Sequence, residues 1–85
     1  MLLNHLEQLR TMPHDLTEPI DKARAIIFLS GLSRRDVSEL SGMSIPRVHS
    51  IYRGGEAELQ RATTITINAL AQGYDALLIE LKKFK

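Results

Sequence analysis

The chain has 85 residues and a mass of 9.6 kDa, with 11 basic and 10 acidic side chains and a formal net charge of +1. A core of this size gives marginal stability, so we expect one domain that gains buried surface from a second copy or a partner. The absence of cysteine excludes a disulfide framework, a thiolate nucleophile and a cysteine-based zinc site. The balanced charge by itself indicates no class of partner.

The first ten residues are too polar for a signal peptide, because Asn4, His5 and Glu7 interrupt the apolar stretch. No segment approaches the roughly 20 apolar residues of a membrane-spanning helix. We therefore expect a cytoplasmic protein without membrane contact. A first helix is predicted over residues 1–12 and ends at Pro13. Its apolar face carries Leu2, Leu3, Leu6 and Leu9.

The second predicted helix has Thr17 as its cap and ends at Ser30 and Gly31. Phe28 and Leu29 widen its apolar face in the last two turns. We expect this to be the most buried helix.

Two helices of about two turns each are predicted over residues 33–53. Ser33 caps the first of them, and Asp36 stands where an acidic side chain can reach back to the cap. Gly42 provides the turn, Ser44 caps the next helix, and Gly54 with Gly55 ends it. The inward positions of the pair are Val37, Leu40, Met43, Val48 and Ile51. This pattern predicts a helix-turn-helix.

The last third of the chain carries mixed signals. The stretch ATTITINAL alternates Thr and Ile as a strand does, but a helical spacing continues to Gly73, and we favour a helix capped by Thr63 or Thr64. In residues 75–83 the alternation of apolar side chains fits a short strand, favoured by length, and a helix also fits. The predicted fold class is mainly α, a compact five-helix bundle with a short C-terminal β-strand as the open alternative.

The outward residues of the helix-turn-helix have the chemistry of a DNA-binding surface, because the second helix of the pair carries no acid there. An arginine can bond guanine bidentately, Ser44 and the free N–H groups of its helix can hold a phosphate, and Ile45 can touch a thymine methyl. The candidate DNA-binding residues are Arg34, Arg35, Ser44, Ile45, Pro46, Arg47, His49, Ser50 and Arg53.

Residues 32–53 resemble the helix-turn-helix of the phage lambda repressor and Cro family in their apolar positions, their turn glycine and the Met-Ser that follows it. Ser38 stands where that family usually has alanine, and the helix crossing survives if its hydroxyl bonds a nearby carbonyl. The resemblance implies that the fourth helix is a recognition helix in the major groove, with Arg34 and Arg35 near the DNA backbone.

The stretch INALAQGYDALLIELKKF is similar to the ending of small antitoxins of the HigA and HipB type. In those relatives a terminal strand can pair with its twin, which implies dimerisation through residues 75–85, with Leu77, Ile79 and Leu81 at the interface. The likeness further implies a homodimeric repressor of its own promoter that binds double-stranded operator DNA and a toxin protein. We interpret residues 1–85 as a single DNA-binding domain.

Several alternatives remain open at this stage. A phage or plasmid repressor without a toxin has the same DNA-binding half, and a protein-interaction module could use the apolar faces and never bind DNA. Arg34 and Arg35 could pair with Asp36 and Glu39, and Tyr52 is interpreted as packing rather than base stacking. No catalytic constellation, phosphate loop or metal-ligand spacing is found, so we expect no enzyme, no metal and no cofactor.

Overall fold

A computed structural model of the chain describes residues 6–83, with side chains from residue 9 onward. The described part is a compact bundle of five helices without a strand, which confirms the mainly α prediction. The elements are α1 (Leu6–Thr11), α2 (Pro19–Arg24) with a π-helical continuation (Ala25–Leu29), α3 (Arg34–Ser41), α4 (Ile45–Arg61) and α5 (Thr64–Lys82). Helix α5 packs across α2 and α3 and so closes the core.

Helix α1 ends where the sequence predicts, before Pro13, and buries Leu9. Met12, which directly follows the helix, is also buried. The predicted contributions of Leu2 and Leu3 lie outside the described residues. The chain after α1 is held by two hydrogen bonds: the His14 ring contacts the carbonyl oxygen of Leu9 at 2.7 Å, and the Tyr74 hydroxyl donates to the carbonyl of Pro13 at 2.6 Å.

The start of α2 differs from the prediction that Thr17 caps it. The N-cap is Glu18, which has an extended backbone and no side-chain cap bond, and Pro19 opens the first turn. Proline suits this position because its fixed φ matches the helix and its missing N–H would have no intrahelical partner. The helix therefore begins without a hydroxyl cap, and the prediction for Thr17 is wrong.

The end of α2 is correctly placed at Ser30, but its last turn is wider than an α-helix. The Ser30 N–H bonds the carbonyl of Ala25 at 3.0 Å, the five-residue spacing of a π-helix. Ile26 and Ile27 are buried, whereas Phe28 and Leu29 are 39% and 44% exposed. The expected burial of Phe28 and Leu29 is therefore wrong.

Helices α3 and α4 form the predicted helix–turn–helix arrangement. The hydroxyls of Ser33 and Ser44 accept hydrogen bonds from the N–H groups of Asp36 and Arg47, which confirms both caps. Gly42 has a φ of 78°, as a turn at this point requires. Val37, Val48 and Ile51 are fully buried between the helices.

The Ser38 hydroxyl donates a hydrogen bond to the carbonyl of Met43, across the turn between α3 and α4. This bond satisfies the condition under which serine can replace alanine in the crossing of the two helices. The hydroxyl also joins the end of the turn to the body of α3, so it stabilises the angle at which α4 leaves the bundle.

Asp36 forms half of the predicted capping box. Its N–H bonds Ser33, but its carboxylate does not reach back to the cap. Asp36 is buried, 3% exposed, and neither carboxylate oxygen has a hydrogen-bond partner among the described residues. Aspartate is one methylene shorter than the glutamate that usually closes this box. A buried carboxylate without partners destabilises the fold.

Replacing Asp36 with asparagine is expected to raise the free energy of unfolding by about 1 kcal/mol. The neutral amide has the same shape and avoids burying an unpaired charge, while the loss of a carboxylate near the positive end of α3 offsets part of the gain. Urea unfolding at neutral pH measures the change. Glu39→Gln, an exposed change on the same helix, is the control, and a lower stability of Asp36→Asn than of the wild type would contradict the prediction.

Helix α4 does not end at its two glycines as predicted. Gly54 is helical, and Gly55 has φ 65° and ψ −149°, a backbone conformation that favours glycine, after which the helix resumes to Arg61. Arg24 holds the resumed segment against α2 through two hydrogen bonds to Glu56, of 3.0 and 2.9 Å. This bonding keeps the pKa of Glu56 below its ordinary value. The glycine pair is therefore a kink that redirects α4.

Helix α5 begins where the sequence predicts, with the Thr63 hydroxyl accepting from the N–H of Thr66 at 3.2 Å. It does not end at Gly73. A Cβ atom at residue 73 would lie 3.1 Å from Ile26 Cδ1 and 3.2 Å from Ser41 Cβ, so glycine permits the close crossing of α5 over α2 and α3. The expected helix end at Gly73 is wrong.

The C-terminal segment is helical through Lys82, so the strand alternative for residues 75–83 is wrong. In a helix the proposed interface residues no longer share one face. Leu77 is fully buried in the core, Ile79 is 59% exposed and Leu81 is half-buried. Leu77 therefore stabilises the single chain, and residues 84–85 of the proposed dimerisation segment lie outside the described residues.

Candidate nucleic-acid interface

An outward stripe runs along the first half of α4. Pro46, His49, Ser50 and Arg53 follow the spacing i, i+3, i+4, i+7 and are all exposed. The opposite face of the same helix carries Val48 and Ile51, which are fully buried. Burial of these two residues therefore decides which side chains α4 presents to a ligand. None of the four side chains in the outward stripe is acidic.

The polar groups of the stripe are placed for contact with bases and phosphates. The Ser50 hydroxyl donates to the carbonyl of Pro46 at 3.2 Å, which leaves its oxygen free to accept a hydrogen bond. Arg53 has no ion-pair partner among the side chains of residues 9–83. The guanidinium at the end of the stripe therefore keeps its full set of donors for a ligand.

Ile45 and Arg47 lie on the two flanks of α4 rather than in the outward stripe. Ile45 is 44% exposed. Arg47 donates from its guanidinium to the Thr66 hydroxyl at 3.2 Å, so its side chain runs toward α5. Thr66 was not among the predicted site residues, because it lies 19 positions after Arg47 in the chain and no local sequence signal links the two.

The N-terminus of α4 has fewer free donors than the sequence suggests. The Arg47 N–H is bound to the Ser44 hydroxyl at 3.3 Å and the Val48 N–H to the Ser44 carbonyl at 3.0 Å. Pro46 has no N–H. In the first turn, the N–H of Ile45 is thus left for a phosphate, together with the exposed Ser44 side chain.

The two arginines of α3 differ in their surroundings. Both are exposed, but the Arg34 guanidinium lies 5.2 Å from the centre of the Tyr52 ring, a cation–π arrangement. The Tyr52 hydroxyl donates to the carbonyl of Leu32 at 3.0 Å, and burial raises its pKa above the ordinary value. Tyr52 thus packs between α3 and α4, in line with its interpretation as a packing residue.

The ion pairs of the described residues all lie outside α3 and the first half of α4, although Arg10 and Lys82, which also lie outside, have no acidic partner among these residues. The ion pairs of the described residues are Lys22–Asp75, Arg24–Asp21, Arg24–Glu56, Arg61–Glu58 and Lys83–Glu80. None of them involves Arg34, Arg35, Arg47 or Arg53, so the alternative in which Arg34 and Arg35 pair with Asp36 and Glu39 is absent from this part of the chain. The helix–turn–helix arrangement thus carries four guanidinium groups that no described carboxylate neutralises.

Within the described part of the chain, no cluster of His, Asp and Glu side chains has the arrangement of a metal site. None of its helices combines the length and the apolar character needed to cross a membrane.

Searches of protein-family models, curated proteins and solved structures found no match to this chain. The described residues alone therefore define the class of protein, which is a mainly α bundle with a helix–turn–helix arrangement and an exposed helix face without acidic side chains.

Proposed function

We propose that the chain is a sequence-specific transcriptional repressor that binds double-stranded operator DNA through α4. The observation that carries the proposal is the set of four guanidinium groups without carboxylate partners on α3 and α4. Unneutralised arginines attract a polyanion, because each phosphate contact releases condensed counterions. The fold supports the proposal because α4 is exposed on the face opposite to its buried residues.

The proposed mechanism places the outward stripe of α4 in the major groove. Arg53 can bond a guanine edge with two parallel hydrogen bonds, and His49 and Ser50 can contact neighbouring base edges or phosphates. Ser44, Ile45 and Pro46 lie at the start of the helix, where the Ile45 methyl groups can meet a thymine methyl. Arg34 and Arg35 at the start of α3 bind the DNA backbone. This mechanism assigns the chain no catalytic role and no cofactor.

The proposed repressor acts in the cytoplasm as a homodimer on its own promoter, with two copies of α4 about one helical turn of DNA apart. A role as the antitoxin of a toxin–antitoxin pair is the finer proposal, and it rests on the resemblance of residues 67–84. The helical course of α5 removes the terminal strand that this resemblance implied, so the dimer needs another surface.

Binding of the full chain to the DNA upstream of its own gene tests the proposal. We expect specific retardation in a gel shift against scrambled competitor, with an affinity that falls steeply as salt rises from about 50 to 200 mM, because arginine–phosphate contacts are salt-dependent. Equal retardation of scrambled DNA would contradict sequence-specific repression. No retardation at low salt would favour the protein-interaction module, and a titration repeated with the product of the neighbouring gene tests the antitoxin role.

A further inference from the structure

The hydrogen bond between Arg47 and Thr66 joins an exposed arginine to a buried acceptor. Thr66 is 8% exposed, and its hydroxyl lies 3.2 Å from the guanidinium of Arg47 and 3.2 Å from the hydroxyl of Thr63. Thr63 is the N-cap of α5 and also accepts from the N–H of Thr66. The Thr66 hydroxyl that accepts from Arg47 is therefore held in place by the burial of Thr66 and by the two hydrogen bonds between Thr66 and Thr63.

This contact fixes a side chain that would otherwise be free. An exposed arginine samples many rotamers and loses that freedom when it binds a ligand. The hydrogen bond to Thr66 holds the Arg47 side chain in one orientation along the flank of α4 before DNA binds. A guanidinium has five N–H donors, so those not used by Thr66 stay available to a ligand.

The position of Arg47 indicates which part of DNA it meets. Residues of an α-helix are separated by 100°, so Arg47 lies on the side of α4 and not in the outward stripe of Pro46, His49, Ser50 and Arg53. A helix in the major groove directs its outward stripe to the base edges and its flanks to the walls of the groove, where the phosphates lie.

We propose that Thr66 is a positioning residue that holds Arg47 at the flank of α4 for contact with a backbone phosphate. This inference rests on the proposed function, and it assigns Arg47 to affinity rather than to base discrimination. Thr66 contributes through Arg47 alone and does not touch DNA.

The test compares Thr66→Val, which keeps the shape and removes the acceptor, with Thr66→Ser, which keeps the hydroxyl. Thr64→Val is the matched control, because Thr64 is exposed at the same end of α5. Affinity is measured by fluorescence anisotropy on the promoter duplex and on a scrambled duplex over a salt series. We expect Thr66→Val to lower affinity for both duplexes alike, by about threefold to tenfold, and Thr66→Ser and Thr64→Val to match the wild type.

Arg47→Ala, alone and combined with Thr66→Val, completes a double-mutant cycle. We expect it to lower affinity for both duplexes and to reduce the slope of log affinity against log salt by about one, and we expect Thr66→Val to have no further effect in that background. Three results would each overturn the inference: an unchanged affinity of Thr66→Val, an equal loss from Thr66→Val in the Arg47→Ala background, or a loss confined to the promoter duplex.

Circular dichroism of each variant checks its fold, and Thr66→Ala replaces Thr66→Val if the latter unfolds. A wild-type chain that binds neither duplex refutes the proposed function and the inference together. A wild-type chain that binds the promoter duplex more tightly than the scrambled one, with Thr66 variants that bind equally well, refutes the inference alone.

Discussion

Replacing Tyr74 with alanine is expected to lower the free energy of unfolding by about 3–5 kcal/mol, the range found when a large buried aromatic side chain is truncated. Tyr74 is fully buried on the inner face of α5, between Leu70 and Leu77, and it joins that helix to the segment after α1 through Pro13. A domain of this length is stable by only roughly 4–13 kcal/mol. Thermal unfolding followed by circular dichroism measures the loss.

Tyr74→Phe separates the packing of the ring from its hydrogen bond. It keeps the buried ring and loses the bond to Pro13, so we expect a cost of about 0.5–1.5 kcal/mol. A Tyr74→Ala variant no less stable than Tyr74→Phe would contradict the assignment of Tyr74 to the core.

The pH dependence of stability gives a second check on Tyr74. Burial raises the pKa of its hydroxyl above the ordinary value of 10.0. The unfolded chain then loses this proton at a lower pH than the folded chain. The contribution of the raised pKa to the free energy of unfolding is therefore complete below pH 10 and is lost as the pH rises through the pKa of the folded state. Tyr74→Phe should reduce the alkaline loss of stability.

Arg53→Ala is expected to lower affinity for the promoter duplex by about tenfold to a hundredfold, because one bidentate contact to guanine contributes about 1–3 kcal/mol of discrimination. Arg53 ends the outward stripe of α4, and it has no ion-pair partner in the described residues that its removal would strand. The fold should therefore be unaffected. Titration against duplexes with single base-pair changes should show relaxed specificity at one position.

Arg61→Ala is the matched control for Arg53→Ala. Arg61 is an exposed arginine on the same helix but beyond the kink at Gly55, where it pairs with Glu58 at 3.5 Å. We expect the affinity of Arg61→Ala for the promoter duplex to stay within about twofold of the wild type, and its fold to be unaffected, since surface ion pairs contribute little to stability. An equal loss in both variants would indicate a general effect of net charge, and an unchanged Arg53→Ala would contradict the assignment of α4 as the reading helix.

Local chemistry in the sequence predicted three helix caps and the turn between α3 and α4 correctly. Ser33, Ser44 and Thr63 each cap a helix through a bond to the third residue on, and Gly42 makes the turn, so the groups that decide these features are neighbours in the chain. The side chains on the outward face of α4 also follow from spacing, because the buried positions Val48 and Ile51 fix the rotation of the helix.

Other features depend on contacts that no local pattern contains. Gly73 resembles a helix end in the sequence, but the structure uses it for the crossing of α5 over Ile26 and Ser41, and the helix continues. Packing against α2 and α3 overrides the alternation of apolar side chains that suggested a strand in residues 75–83. The same packing buries Leu77 and leaves Ile79 exposed.

By itself, the sequence determined the caps of α3, α4 and α5, the turn at Gly42 and the basic, acid-free character of the outward α4 face. The tertiary structure decided which arginines remain without a carboxylate partner and which of them is tied to another helix, because Arg24 meets Glu56 and Arg47 meets Thr66 across many residues of chain. Capping bonds form within one turn of helix, whereas these contacts exist only after the helices have packed and their side chains share one surface.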